Sequence, residues 1–145
     1  MLECCGSRRW ATEMIALRPY INVMELRMAA DRIWAAMEET DLLEAFASHQ
    51  HIGELDAQPD NWPEHEQSAT QVADSMLLAQ LERGNAEYEK RFGFIYILCA
   101  TEMSPMELLD TLNRRLHNSR EVELREAAEQ QRLITQLRIS TWLDL

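Results

Sequence analysis

His49 and His51 stand at the mouth of a long polar stretch, His65 and Glu66 at the start of the helical pattern that follows it, and Arg91 at the end of that pattern. These residue types suit general acid–base chemistry without a cofactor. His49 and Glu66 would hold and move protons, and the planar donor fork of Arg91 would grip an anion or a carbonyl. Other chemistries draw on overlapping residues. His49-x-His51 with His65 or Glu66 could offer a metal three ligands, but that spacing is common and no HExxH-type helical pair supports it. Ser48 lacks a nucleophile-elbow context, and Cys99 lies in an apolar run where a thiol tends to be inert. Each residue also has a plainly structural reading: solvated histidines, a first-turn carboxylate favoured by the helix dipole, and a cation snorkelling from a helix end. Local pattern leaves these alternatives open.

The elements that must position these residues read as helices. Gly93 in Arg91-Phe92-Gly93-Phe94 suits the φ > 0 conformation that closes a helix, so Arg91 is expected at a helix end. The apolar run 94–100 reads as an extended buried connection, because no second alternating segment exists to pair with it. Its backbone N–H groups, with Arg91, suit a carboxylate, ureido or carbonyl ligand. Between His49 and Pro63, Gly53, Pro59 and Pro63 punctuate a long polar loop of the kind that usually serves a site. Pro63 suits the first turn of a helix carrying Ala69, Val72, Ala73, Met76, Leu77 and Leu81 on one face, with Gly84-Asn85 as a candidate kink.

Elsewhere Ser7 caps a helix with Trp10, Met14 and Leu17 on one stripe, and Asn22 with Glu25 makes a capping-box-like start for Leu26, Ala29, Ala30, Ile33, Trp34 and Met37. Thr40-Asp41 reads as a break and new cap before Leu42, Leu43, Ala45 and Phe46. Ser104-Pro105-Met106-Glu107 is a capping box with proline at the first helical position, ahead of Leu108, Leu109, Leu112 and Leu116. A last long helix, 120–139, carries Leu124, Ala127, Ala128, Gln131, Ile134 and Leu137. The expected architecture is all-α: a single-domain helical bundle of about six to eight helices, spanning 1–145, with a long active-site loop.

A chain of 145 residues, 46% hydrophobic and 27% charged, supports one sizeable core. Its net charge of −11 argues against nucleic acid or an anionic membrane surface as partner. Three cysteines, two of them adjacent, form neither a disulfide framework nor a CxxC pair, and no apolar stretch reaches membrane-spanning length. A soluble cytoplasmic protein is expected.

The ordered succession Cys4-Cys5-Gly6-Ser7-Arg8-Arg9-Trp10, Arg18-Pro19-Tyr20, Ser48-His49 with Ile52-Gly53, Glu66-Gln67-Ser68, Asn85 to Phe94 with Ile97-Leu98-Cys99-Ala100, and Arg114-Arg115-Leu116-His117-Asn118 resembles the OHCU decarboxylase family. OHCU is 2-oxo-4-hydroxy-4-carboxy-5-ureidoimidazoline, an intermediate of urate breakdown. The match continues through Glu123-Leu124, Ala127 to Glu129 and Leu137-Arg138. The resemblance implies an all-helical, cofactor-free and metal-free carboxy-lyase, usually a homodimer, that removes CO2 from OHCU to give (S)-allantoin. It further implies His49 and Glu66 as catalytic residues and Arg91 as substrate holder. Gln67 and the backbone of Gly93, Phe94, Ile95 and Ile97 would be further substrate contacts, with Ser68 beside them. Two departures stand out. The family's His-Pro-x-Ile-Gly reads His49-Gln50-His51-Ile52-Gly53, replacing a φ-locked residue beside the histidine, and only three residues precede Cys4 where the family usually carries another helical segment. Both features favour the rival expectation, a non-catalytic binding module on the same fold.

Overall fold

The computed structural model describes residues 1–49 and 71–144, and the expected long loop and the cap at Pro63 lie outside them. The described residues form six helices and no strand: α1 (Arg8–Ala16), α2 (Val23–Ala35), α3 (Glu39–Ala47), α4 (Gln71–Phe92), α5 (Pro105–Arg115) and α6 (Arg120–Trp142). They gather into two compact units, Met1–His49 with Arg125–Leu145, and Gln50–Leu124.

In the first unit, Ser7 caps α1 by accepting from the Trp10 N–H at 3.2 Å. The Trp10 ring is fully buried, and its indole N–H donates to the Ala30 carbonyl at 3.1 Å, tying α1 to α2. Asn22 caps α2 through the Glu25 N–H at 2.9 Å, as expected. Glu25 reaches back to the Ile21 N–H at 2.6 Å, one residue earlier than a capping box requires. Leu26, Ala29, Ala30, Ile33, Trp34 and Met37 are all buried, and the Trp34 indole donates to Ala128 of α6 at 2.9 Å. The expected break at Thr40-Asp41 is corrected. α3 starts two residues earlier, because the Asp41 carboxylate accepts from the Glu38 N–H at 3.0 Å and fixes the cap there. Leu17 is also corrected from buried to 44% exposed, since α1 stops before it.

In the second unit, α4 runs unbroken through Gly84-Asn85, so the anticipated kink is not an interruption of the helix. Gly84 instead lets α5 approach: a Cβ there would meet Leu112 Cδ2 at 2.5 Å. Leu81 of the expected α4 stripe is buried, whereas Met76 is 63% exposed. Gly93 closes α4 at φ +82°, its N–H bonding to Glu89 at 2.8 Å, and residues 94–97 follow as buried, irregular chain. The box at Ser104 and Glu107 forms at 3.2 and 2.8 Å.

The buried face of α6 keeps Ala127 and Gln131 of the expected stripe and differs from it elsewhere. Glu123, Ala127, Gln131, Thr135 and Ile139 are buried at four-residue intervals, while Leu137 is 45% exposed. A helix face can bury polar side chains only where partners satisfy them, and each of these finds one.

Candidate active site

His49 follows the C-cap of α3, where the chain turns because the Ser48 and His49 N–H groups bond to Ala45 and Phe46. Gly6 packs against this turn so closely that an added Cβ would lie 2.5 Å from Ser48 Cβ, so the glycine of Cys-Cys-Gly-Ser leaves room for the Ser48 side chain, next to the histidine in the chain. The half-buried imidazole is held from α6: Nε2 lies 2.6 Å from Gln131 Oε1, and Nδ1 lies 3.4 Å from Arg138 Nη2. Gln131 donates onward to the Thr135 hydroxyl at 3.1 Å. Arg138 also donates to the Glu3 carbonyl at 3.4 Å. Burial lowers the His49 pKa below its ordinary value, the Gln131 hydrogen bond opposes this, and the Arg138 charge adds to the lowering. At neutral pH His49 is therefore a neutral base with a cation at its edge, the state suited to accepting a proton near an anionic ligand. Burial likewise pushes the Cys4 and Cys5 thiols up, which leaves them poor nucleophiles.

Arg91, in the last turn of α4, is exposed. Its guanidinium lies over the Phe92 ring at 5.2 Å and donates to the Asn118 carbonyl at 3.1 Å. The Asn118 side chain in turn donates to Glu123 at 3.1 Å. Glu123 belongs to a fully buried cluster in which Arg115 donates to it through Nε at 2.6 Å and to the Ile97 carbonyl at 2.6 Å. Tyr88 donates to the same carboxylate, and the Arg115 guanidinium lies 4.8 Å from the Tyr96 ring centroid. Burial raises both the Tyr88 and Tyr96 pKa values, keeping the phenols protonated. This cluster fixes the carbonyl side of the connection after Gly93. Phe94, Ile95 and Ile97 are buried, Gly93 is exposed, and the Ile95 and Ile97 N–H groups donate to no backbone carbonyl among the described residues.

Thus the structure joins His49 to Gln131 and Arg138, and Arg91 to Phe92 and Asn118. Glu66, Gln67 and Ser68 lie outside the described residues, as do His51 and His65 of the metal alternative. Among the described residues, no three His, Cys, Asp or Glu side chains gather as a metal-binding group. The contacts of Arg138 and Gln131 with His49 escaped the sequence reading. A glutamine inside an otherwise apolar stripe was the available signal for the second; the first has no local signal. A separate groove of about 370 Å³, lined by Leu17, Tyr20, Met24, Glu25, Met28 and Arg32 among others, holds none of the predicted site residues.

The family model described as OHCU decarboxylase matches residues 1–140. The chain belongs to the OHCU decarboxylase family. It is 33% identical over 143 residues to the Arabidopsis thaliana "Uric acid degradation bifunctional protein TTL", an alignment covering 94% of this chain and 44% of the plant protein. The chain therefore spans less than half of that relative's length. It is 29% identical over 135 residues to a Haloferax volcanii 2-oxo-4-hydroxy-4-carboxy-5-ureidoimidazoline decarboxylase, covering 90% of this chain and 79% of the other. Among solved structures it is similar to an OHCU decarboxylase crystallised in the presence of (S)-allantoin, with 34% identity and a TM-score of 0.83 over 99% of this chain and 96% of that one. An (S)-allantoin synthase at 19% identity has a TM-score of 0.64 over 90% of this chain and 41% of its own, and shares the fold. The all-α expectation thus holds for an OHCU decarboxylase family member, and no described helix is long and apolar enough to cross a membrane.

Proposed function

We propose that this chain is a cofactor-free carboxy-lyase that decarboxylates OHCU to (S)-allantoin in urate catabolism, working in the cytoplasm as a single homodimeric domain. The observation that carries the reading is the near-complete structural correspondence with the OHCU decarboxylase crystallised with (S)-allantoin. When CO2 leaves, the electron pair of the broken C–C bond stays on the ring carbon and spreads into the adjacent imine and carbonyl system, so donors aimed at that charge lower the barrier. The neutral His49 takes the proton of the neighbouring hydroxyl or manages the one delivered to the new stereocentre. Arg138, beside it, offers a cation to the departing carboxylate. Glu66 and Gln67 hold the ureido N–H groups or ring nitrogen. Arg91 and the backbone of Gly93, Phe94, Ile95 and Ile97 grip carbonyl oxygens.

The homodimer reading is supported by an outward apolar stripe on and before α2. Ile21, Met24 and Met28 are 88%, 69% and 65% exposed, more than isolated surface apolar residues explain. Glu25 and Arg32 flank Met28 along the same groove. Antiparallel pairing of two α2 helices about Met28 would set Glu25 of one copy near Arg32 of the other, a self-complementary pattern that a two-fold interface requires.

Generating OHCU in situ from urate and following optical activity tests the reaction. Accelerated appearance of the (S)-allantoin signal is expected. Racemic product at the uncatalysed rate would exclude catalysis and leave the binding-module alternative that Gln50 favours.

A further inference from the structure

We infer that Gln131 is a positioning residue that fixes His49 as its Nε2–H tautomer, so that Nδ1, the nitrogen at the Arg138 edge, is the ring atom that exchanges a proton with the substrate. This rests on the catalytic reading of His49. It assigns a role to a residue outside the family motifs recognised in the sequence, and it specifies the reacting atom.

The argument is one of donors and acceptors. A guanidinium has five N–H donors and no acceptor, so Arg138 Nη2 at 3.4 Å can meet only a lone pair on Nδ1. A neutral imidazole carries one ring proton, which must then sit on Nε2. Nε2–H needs an acceptor, and Gln131 presents Oε1 at 2.6 Å. The amide's NH2 group donates to Thr135 Oγ1 at 3.1 Å, which leaves Oε1 for the imidazole. Gln131 is completely buried and Thr135 is 4% exposed, so neither exchanges its partner for water. Reversing the amide would point an NH2 group at the ring N–H and leave that proton without an acceptor in a buried place, which costs more than the hydrogen bond itself contributes. The alternative Nδ1–H tautomer would aim its proton at the guanidinium.

The two ring nitrogens thus have unequal freedom. Nε2 is locked by a short bond to a buried, twice-anchored amide. Nδ1 has a longer contact with a half-buried arginine, itself tethered to the Glu3 carbonyl, which a carboxylate ligand would draw away. A substrate carboxylate taken by Arg138 brings its neighbouring hydroxyl to Nδ1. The proton moves from that hydroxyl to Nδ1, giving an imidazolium whose Nε2–H remains on Gln131. As the C–CO2 bond breaks, its electron pair forms a double bond to the ureido-bearing ring carbon and the imine pair moves to its nitrogen, which takes a proton from solvent. The proton on Nδ1 then passes to the ureido-bearing carbon, the hydroxyl oxygen becomes the new carbonyl, and the histidine returns to its starting state.

The test uses 15N-histidine-labelled protein at neutral pH, with His49 assigned among the four histidines by its loss in His49→Asn. A protonated-type Nε2 signal and a lone-pair-type Nδ1 signal are expected. The opposite pattern would overturn the inference whatever the activity. Gln131→Met, of similar size but without the acceptor, should give mixed tautomers and about a 100-fold fall in kcat, the scale of a misplaced reacting group. Gln131→Glu keeps the acceptor and should keep the Nε2–H signal. An unchanged tautomer in Gln131→Met, or a changed tautomer with unchanged kcat, would also overturn it. Full activity of His49→Asn would instead defeat the catalytic reading of His49, while the spectrum still reports on Gln131.

Discussion

Arg115 and Glu123 form an ion pair in which neither side chain is exposed, and the pair is closed off by Tyr88, Asn118 and the Ile97 carbonyl. Removing one partner leaves an uncompensated buried charge. Arg115→Met and Glu123→Leu should each lower stability by about 3–5 kcal/mol, measured by urea unfolding. The double variant should lose distinctly less than the sum, because it removes both charges together. Additive losses would mean that the two residues act separately.

The lowered pKa of His49 gives stability a direction with pH. Folding favours its neutral form, so above the ordinary histidine value of 6.5 the folded and unfolded states both hold it neutral and the fold bears no penalty. As pH falls from about 6.5 toward the lower folded pKa, the unfolded chain binds the proton first and stability declines. Unfolding midpoints at pH 7.5 and 5.5 should therefore differ more for the native protein than for His49→Gln. Equal differences would show that His49 does not contribute.

The same sign governs turnover. In the proposed reaction the neutral imidazole is the working form and is already present at pH 7, so kcat/KM should hold level there and fall only on the acid side, below the ordinary histidine range. The charged group facing this ring is Arg138, and replacing it with glutamine removes one cause of the lowering. In Arg138→Gln the acid limb should move to higher pH; a limb that stays in place would contradict the assignment.

Gly84 is a contact rather than a hinge. In an open helix, alanine would gain roughly 1 kcal/mol over glycine. Against buried Leu112, Gly84→Ala should instead destabilise by about 1–3 kcal/mol. Thermal unfolding checks this, and Gly84→Ala with Leu112→Ala should show a coupling of opposite sign. A stabilised single variant would mean that α5 shifts freely.

For assembly, Met28→Asp should convert a dimer to a monomer in sedimentation while leaving the helical spectrum intact, because the side chain is 65% exposed within each copy. Glu25→Arg should weaken the dimer, and Glu25→Arg with Arg32→Glu should restore it. A dimer indifferent to all three would use another face.

Much of this was legible from local chemistry. Ser7, Asn22 and the Ser104–Glu107 box bond to backbone three residues away, so a few letters suffice to place them. Gly93 closes its helix as its type suggests. What remained hidden depends on distant partners. Nothing local to Arg115 or Glu123 announces that they pair in the core, and Gln131 and Arg138 stand 82 and 89 residues from the histidine they hold. Glu66 and Gln67, expected at the site, lie outside the described residues, so their part in the proposal rests on the family resemblance.

One compact unit is drawn from the two ends of the chain, residues 1–49 and 125–145, with 50–124 between them. A ribosome adding about 5–20 residues per second needs several seconds to cross that interval. Throughout it α1 to α3 exist without the helix that supplies Ala128 to Trp34 and Gln131 to His49. The nascent protein therefore carries an uncovered apolar face during synthesis. Its histidine gains its tuned environment only once α6 has left the exit tunnel.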